Sequence, residues 1–325
     1  MKLKKIKRLA AAGVAMLMTL SLAGCGAGSR SVKLGAAGVG GGYYAFSNAF
    51  AQMAVAADED LEFEVKATAG STANIRLLSD GYIDMAIAQA DLVDAAYNGT
   101  GVTDKKRYRG YSAVASLYTE ACQIVVRADS GIDSLDDLQG KKVSVGEEES
   151  GTQRNAEQIL KMTGLVESLV DTVNLDYVDA ANELKSGQID AFFCTAGIQT
   201  SVIEELSKEC DVKLIGIDDK CRDRLKSVYG FYTDYTIPAG TYEGQDQDVE
   251  TLGVRAVLLA RDDMDEEIVE ELTGLLFEHS QDIKYSIPLT FQIDESEAVK
   301  NVTIPFHDGA KAYYQKKRIE LPAEQ

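Results

Sequence analysis

The unit Gly-x-Ile-Asp followed by an apolar run occurs twice in this chain. It reads Gly81-Tyr82-Ile83-Asp84-Met85-Ala86-Ile87 and then, 106 residues later, Gly187-Gln188-Ile189-Asp190-Ala191-Phe192-Phe193. Each copy follows a helix-periodic stretch and precedes small residues, Ala90-Asp91 in one and Ala196-Gly197 in the other. A short apolar run entered through glycine reads as a buried strand, so the duplication predicts two similar lobes. Around the first copy the pattern predicts a strand at 32–36, a glycine-rich turn at 38–42 and a helix at 43–57. A strand at 61–67, a turn at 69–72 and a helix at 73–79 follow, with Ser71 or Thr72 as N-cap. The strand at 83–88 leads into a helix at 92–98 capped by Asp91. Around the second copy, a strand at 142–146, a helix opened by Ser150 and running to Met162, a strand at 173–177 and a helix capped by Asp179 repeat the plan. Strand–helix alternation of this kind argues an α/β fold with largely parallel sheets. A further apolar strand at 252–260 leads through acidic residues into a helix ending near Ser280, and a last helix begins at Asp308.

The N-terminus sets the compartment. Lys2, Lys4, Lys5, Lys7 and Arg8 form a basic head, an apolar segment runs from about Leu9 to Leu22, and Leu22-Ala23-Gly24-Cys25 follows. The apolar run is shorter than the ~20 residues a spanning helix needs, and the arrangement is that of a secretory signal ending in a lipobox. Residues 1–24 are therefore expected to be removed, and Cys25 to carry a lipid. Residues 25–31 then form a small, polar tether. The chain has 33 basic and 52 acidic residues. Five of the basic ones leave with the signal, so the mature formal charge is −24, which repels nucleic acid and anionic lipid. The expected location is extracytoplasmic, on the cell membrane through lipidated Cys25. ATP, NAD and nucleic acid are not expected ligands there, and no cofactor is expected.

Chemistry-bearing residues are scarce. Cys122 and Cys194 lie in apolar strand-like runs and read as buried thiols. The spacing of Cys210 and Cys221 permits a disulfide without requiring one. His279 and His307 are the only histidines, so a zinc site or a His-based triad has almost no material. The acids at 262–267 suit the first turn of a helix and lack the glycine and spacing of a calcium loop.

What remains is three small-residue turns, each between a strand and a helix: Gly38–Gly42, Ala69–Thr72 and Ser150–Thr152. Such turns present free backbone N–H groups at the positive end of a helix dipole, and in an open α/β sheet they lie at the strand carboxyl ends, where ligands bind. Three of them over two lobes predict a cleft for a small anionic or zwitterionic molecule. The glycine run is no Walker A loop, because Tyr43-Tyr44 stands where Lys-Ser/Thr is needed, and its glycines do not fit the Rossmann spacing. Successive residues on a helix differ by ~100°, so one of Tyr43 and Tyr44 is expected to face the core and the other the cleft.

In segments 38–51, 67–101, 117–160 and 184–197 the mature chain resembles the TAXI group of solute receptors for TRAP-type (tripartite, ATP-independent periplasmic) transporters. The resemblance implies a type II periplasmic-binding-protein fold, two α/β lobes joined by hinge strands around a ligand cleft. It implies no enzymatic activity, capture of a small carboxylate or amino acid (glutamate-like), and delivery to membrane permease subunits driven by an ion gradient. It places Tyr43 or Tyr44, Ser71, Gln89, Ser150, Thr152 and Gly197 in the cleft. To these the turn argument adds backbone N–H groups near Gly42 and Gly151. The expected lobes are discontinuous: residues 32–120 with 232–325 in one, and 121–231 in the other. A lipoprotein that senses rather than imports, and an ABC-type receptor, share the same cleft and stay open. The chain departs from the family at Glu147-Glu148-Glu149, where small residues and proline are usual, and at Ala69-Gly70-Ser71, where Gly-Gly-Ser is common. Like charge beside a cleft disfavours a multiply charged anion by ~1 kcal/mol or more per group.

Overall fold

The computed structural model describes residues 30–101, 105–166, 168–286 and 294–322. The signal segment, Cys25 and most of the tether lie outside the described residues. The described strands form one long sheet, in the order β2-β1-β3-β10-β4-β7-β5-β6. Its first end is β1 (Arg30–Gly35), β2 (Leu61–Lys66) and β3 (Met85–Gln89), with β1 parallel to both neighbours. Its other end is β5 (Lys142–Ser144), β6 (Asp171–Val173) and β7 (Ala191–Ala196), with β5 parallel to both neighbours. The two triplets have the same order and sense.

Two long strands join them. β4 (Tyr111–Arg127) and β10 (Val249–Arg261) run antiparallel from Tyr111↔Arg261 to Ala121↔Gly253. Past that stretch β4 pairs with β7 and with β8 (Val212–Leu214), and β10 pairs with β9 (Thr233–Ile237), while Ala256–Ala260 of β10 also pair on their other edge with β3. β10 is thus the antiparallel neighbour of the first triplet, and β4 that of the second. The crossing is close: a Cβ on Gly253 would sit 2.5 Å from the Thr119 methyl. Register shifts between Arg255 and Val257 and between Leu258 and Leu259 add local bend and twist there.

The hydrophobic cores divide at this crossing. One packs residues 32–118 with 256–314. The others pack residues between 121 and 254. Tyr232, Tyr242, Leu252 and Val254 belong to the second group, so position 232, the lobe boundary expected from the sequence, falls inside it.

The repeated Gly-x-Ile-Asp has a definite structural task. Gly81 and Gly187 sit at φ of 75° and 74°, a left-handed conformation that favours glycine. Ile83 and Ile189 are buried. The carboxylates of Asp84 and Asp190 accept the backbone N–H of Lys33 and Lys142, each at 2.9 Å. Their own N–H groups donate back to the Lys33 and Lys142 carbonyls at 2.9 and 2.8 Å. In each lobe the aspartate therefore carries the ladder between first and third strand one rung past its end. A second repeat, easily overlooked in the sequence, closes the same turn. Arg261 at the end of β10 donates to the Gly81 carbonyl, and Arg127 at the end of β4 to the Leu184 carbonyl, both at 3.1 Å.

The helices cover the sheet. Helix α1 (Gly42–Ala57) buries Tyr43, Phe46, Ser47, Phe50 and Ala54, a single face at helical spacing. Helix α2 (Ser71–Ser79) and helix α3 (Ala90–Asn98) complete the first lobe's cover. In the second lobe, α4 (Gly151–Thr163), α5 (Tyr177–Ser186), α6 (Ser201–Glu209) and α7 (Asp219–Val228) do the same. Helices α8 (Glu266–Glu278), α9 (Ser280–Ser286) and α10 (Asp308–Lys317) return to the first.

Several helix starts differ from expectation. The N-cap of α2 is Gly70, whose φ of 124° excludes most side chains; Ser71 is helical, and its hydroxyl is used elsewhere. The N-cap of α3 is Gln89, with Asp91 in the first turn. Asp176, not Asp179, caps α5, because the chain leaves β6 at Val173, earlier than its apolar run suggests. Ser150 caps α4 as expected, accepting from the Gln153 N–H at 2.9 Å. Cys122, Cys194, Cys210 and Cys221 are all free thiols. No described helix is long and apolar enough to cross a membrane.

Candidate functional site

Four helix N-termini converge on a small cavity between the lobes, about 40 Å³ in volume. From the first lobe come Gly41, Gly42 and Tyr43 at the start of α1, and Ala69, Gly70 and Ser71 at the start of α2. Gln89, at the end of β3, and Glu120, on β4, form its floor. From the second lobe come Ser150, Gly151 and Thr152 at the start of α4, with Asp176 and Tyr177 at the start of α5. Thr195 of β7 and Glu147 complete the lining. Every helix dipole involved presents its positive end here.

The first-lobe wall is a directed chain of hydrogen bonds. The Gln89 N–H donates to Ser71 Oγ at 3.1 Å. In the same wall the Tyr43 hydroxyl donates to Glu120 Oε2 at 2.6 Å. Glu120 is 2 % exposed, and no lysine or arginine lines the cavity. Burial pushes its carboxyl up to about 8, with hydrogen bonds from Tyr43 and Gln89 pulling the other way.

The second-lobe wall is also directed. Tyr177 Oη donates to the Thr195 carbonyl at 3.1 Å, and the Thr195 N–H donates to Thr152 Oγ1 at 3.2 Å. A hydroxyl carries one proton, so the 2.6 Å contact between Thr152 Oγ1 and Tyr177 Oη has threonine as donor. Thr152 is thereby committed to holding Tyr177. Behind the wall, Tyr232 Oη donates to Gln158 Oε1 at 2.5 Å, Asn155 Nδ2 donates to Tyr232 Oη at 2.8 Å, and Gln89 Nε2 donates to Asn155 Oδ1 at 3.0 Å. This last bond crosses from one lobe to the other.

Further contacts bridge the lobes. The Thr72 and Ala73 N–H groups donate to the Glu149 carbonyl at 3.1 and 3.2 Å. Arg76 grips the Glu149 carboxylate with two donors, at 3.0 and 2.7 Å. On the opposite rim the Gly40 carbonyl accepts from Ser201 Oγ at 3.1 Å. The three consecutive glutamates thus have three fates: Glu147 lines the cavity, Glu148 is exposed and Glu149 is the bridge. Burial, and then the charge of Asp176, raise the Glu147 carboxyl above its ordinary range.

Of the residues expected in the cleft, Gly42, Tyr43, Ser71, Gln89, Ser150, Gly151 and Thr152 line this one cavity. Tyr43 faces the core and still reaches the cleft through its hydroxyl. Tyr44 borders a separate outer groove with Val39 and Val178. Gly197 lies in the turn between β7 and α6, its carbonyl accepting from Thr200, and is not among the cavity-lining residues. Glu120, Asp176, Tyr177 and Thr195 were not expected. For Glu120 a signal existed: it is the lone charge between Tyr111 and Val126, inside a strand that is buried almost throughout. The others are brought in by the second lobe's fold and carry no local signature. Among the described residues no group of three or more His, Cys, Asp or Glu is placed to hold a metal ion.

The architecture has clear relatives. A protein of Bordetella bronchiseptica RB50 is 18 % identical and superposes with a TM-score of 0.53, over 91 % of this chain and 84 % of its own. A protein of Listeria monocytogenes described as a candidate L-cystine ABC transporter is 14 % identical, with a TM-score of 0.50 over 79 % of this chain and 94 % of its own. The shared architecture is the type II periplasmic-binding-protein fold, two lobes around a cleft. Residues 34–317, spanning both lobes and every cavity-lining residue, match one family throughout: the chain belongs to the NMT1-like family.

Proposed function

We propose that this protein is an extracytoplasmic solute receptor that captures a small carboxylate or amino acid between its lobes and presents it to membrane permease subunits. The observation that carries the reading is the cavity itself: helix N-termini from both lobes meet there, and hydrogen bonds cross the gap on either side of it. Closure about β4 and β10 would mark the loaded state for a permease. The lobes would then comprise residues 30–120 with 255–322, and 121–254. The lining offers hydroxyls, amides and carboxylates without His or Cys, which suits binding and not nucleophilic catalysis. The resemblance in segments 38–51, 67–101, 117–160 and 184–197 favours a TRAP system of the TAXI type. An ATP-driven importer is the second reading, favoured by the Listeria protein's description; a permease gene or an ATPase gene beside this one separates them.

Calorimetry with amino acids and small carboxylates tests the reading. A compound at 100 times its Kd should add ~2.7 kcal/mol of stability. Thr152→Ala removes the donor that orients Tyr177 and should cost about 1 kcal/mol of stability and weaken binding of the same compound about tenfold. Unchanged affinity would remove Thr152 from the site. We further propose that Cys25 is the N-terminal, lipid-modified residue of the mature chain. Mass spectrometry of the native N-terminal peptide should find a diacylglyceryl-cysteine there, and an unmodified Cys25 or cleavage elsewhere refutes it.

A further inference from the structure

The cavity is short of donors on its side chains and rich in acceptors. The Tyr43 proton is already directed to Glu120, and that of Thr152 to Tyr177. The buried amide relay settles Gln89. Tyr232 gives its one proton to Gln158, so it can only accept from Asn155. Asn155 then presents its oxygen to Gln89, and Gln89 must use its nitrogen there. Gln89 Oε1 is left buried with no partner, in a side chain that is 2 % exposed and lines the cavity. Beside it in the floor stands Glu120, also 2 % exposed, a buried carboxyl that accepts from Tyr43 and has no cation among the cavity-lining residues. Asp176 and Glu147 add two more carboxylates at the second-lobe side. A buried polar group without a partner costs free energy comparable to a lost hydrogen bond, and a buried charge costs more. An unmet acceptor beside a buried ionisable carboxyl that faces no cation is what a protonated amine with its three N–H donors satisfies.

We infer that Glu120 and Gln89 Oε1 form an ammonium subsite, so that this receptor takes amine-bearing solutes and discriminates against dicarboxylates that lack an amine. The inference rests on the receptor reading and narrows it. A single ligand carboxylate still has the backbone N–H groups at Gly42 and Gly151 to meet. A second one, or a ligand with no amine, would leave Gln89 Oε1 unpaired and Glu120 without a cation, and would bring like charge toward Glu147 and Asp176. Specificity here comes from what is left unpaired with the wrong ligand.

The test is isothermal titration of the protein with the twenty proteinogenic amino acids, their deaminated acids, and succinate, glutarate and 2-oxoglutarate. Glu120→Gln is run beside wild type, and thermal unfolding confirms that the variant is folded. At least one amine-bearing compound should bind wild type more than about 100-fold tighter than its deaminated counterpart. Glu120→Gln should shrink that preference to below about tenfold. Deaminated acids or dicarboxylates binding as tightly as the amines, or a preference that survives Glu120→Gln, would overturn the ammonium subsite and leave the receptor reading standing. Binding by no compound of the panel would overturn the receptor reading, and the subsite with it.

Discussion

Gly151→Ala is expected to weaken binding of the cognate solute by about 10- to 100-fold while leaving the protein folded. A Cβ at this position would lie 2.5 Å from Gln89 Cδ and 2.7 Å from both Nε2 and Oε1. Gln89 cannot swing aside cheaply. Its backbone is tied to Ser71 and its amide to Asn155, both within the buried network. Gly151 and Gln89 belong to opposite lobes, so the molecule relieves the overlap by failing to close. Overpacking of a tight contact costs about 1–3 kcal/mol, and here that cost falls on the closed state alone. In the open state alanine replaces glycine in the first turn of α4, where it is the better helix former by up to about 1 kcal/mol. Titration calorimetry reads the affinity, and small-angle scattering reads a larger radius of gyration in the presence of ligand. Affinity within threefold of wild type would mean that this glycine is not needed for closure.

Between about pH 6.5 and pH 8 the stability of the unliganded protein should fall by roughly 2 kcal/mol, and Glu120→Gln should abolish the slope. Glu120 holds its proton up to about 8 in the folded protein, against an ordinary value of 4.5. Over the interval between these values the folded state binds more protons than the unfolded one, so stability is lost as pH rises, at up to ~1.4 kcal/mol per unit. Above pH 6.5 this residue makes the largest contribution among the carboxyls with a raised value. Asp91, buried beside it, is pushed up only to about 6. His307, whose imidazole burial pulls below 6.5, acts with the opposite sign and fades within about one unit above pH 6.5, where it offsets no more than about 0.4 kcal/mol. The carboxylates held down by their partners, Asp137, Asp234 and Asp263 among them, lose their contribution only under acid conditions. Tyr43, Tyr118 and Tyr177, which also surround Glu120, are all pushed upward and stay neutral. Urea unfolding at half-unit pH intervals measures the effect. A wild-type profile that is flat over this window would mean that Glu120 is ionised at no cost, and so is better solvated than its burial implies.

An ammonium ligand on Glu120 would reverse this penalty. It would draw the carboxyl into its charged form and release a proton on binding near pH 7, making affinity rise with pH up to about 8. A solute that instead accepted a hydrogen bond from protonated Glu120 would bind with the opposite pH dependence.

The sequence by itself determined the two-lobe plan. The duplicated Gly-x-Ile-Asp is local chemistry: a left-handed glycine, a buried isoleucine and an aspartate that extends a ladder are legible from residue types at fixed spacing, and both copies perform the same task. The glycine and serine turns before α1, α2 and α4 were legible for the same reason, since a helix N-terminus is set by a few consecutive residues. Only the tertiary structure decided which of these turns face one another and which atoms they leave unmet. That Ser71 is a link in a hydrogen-bond chain and not a cap depends on Gln89, 18 residues away. That Gln89 shows its oxygen to the cavity depends on Asn155, Tyr232 and Gln158 in the other lobe. That Glu149 is a bridge depends on Arg76, 73 residues distant. Hydrogen-bond direction is a property of the closed network, because each proton can be given only once. No window of the chain contains that network, which forms only where β4 and β10 bring the two lobes together.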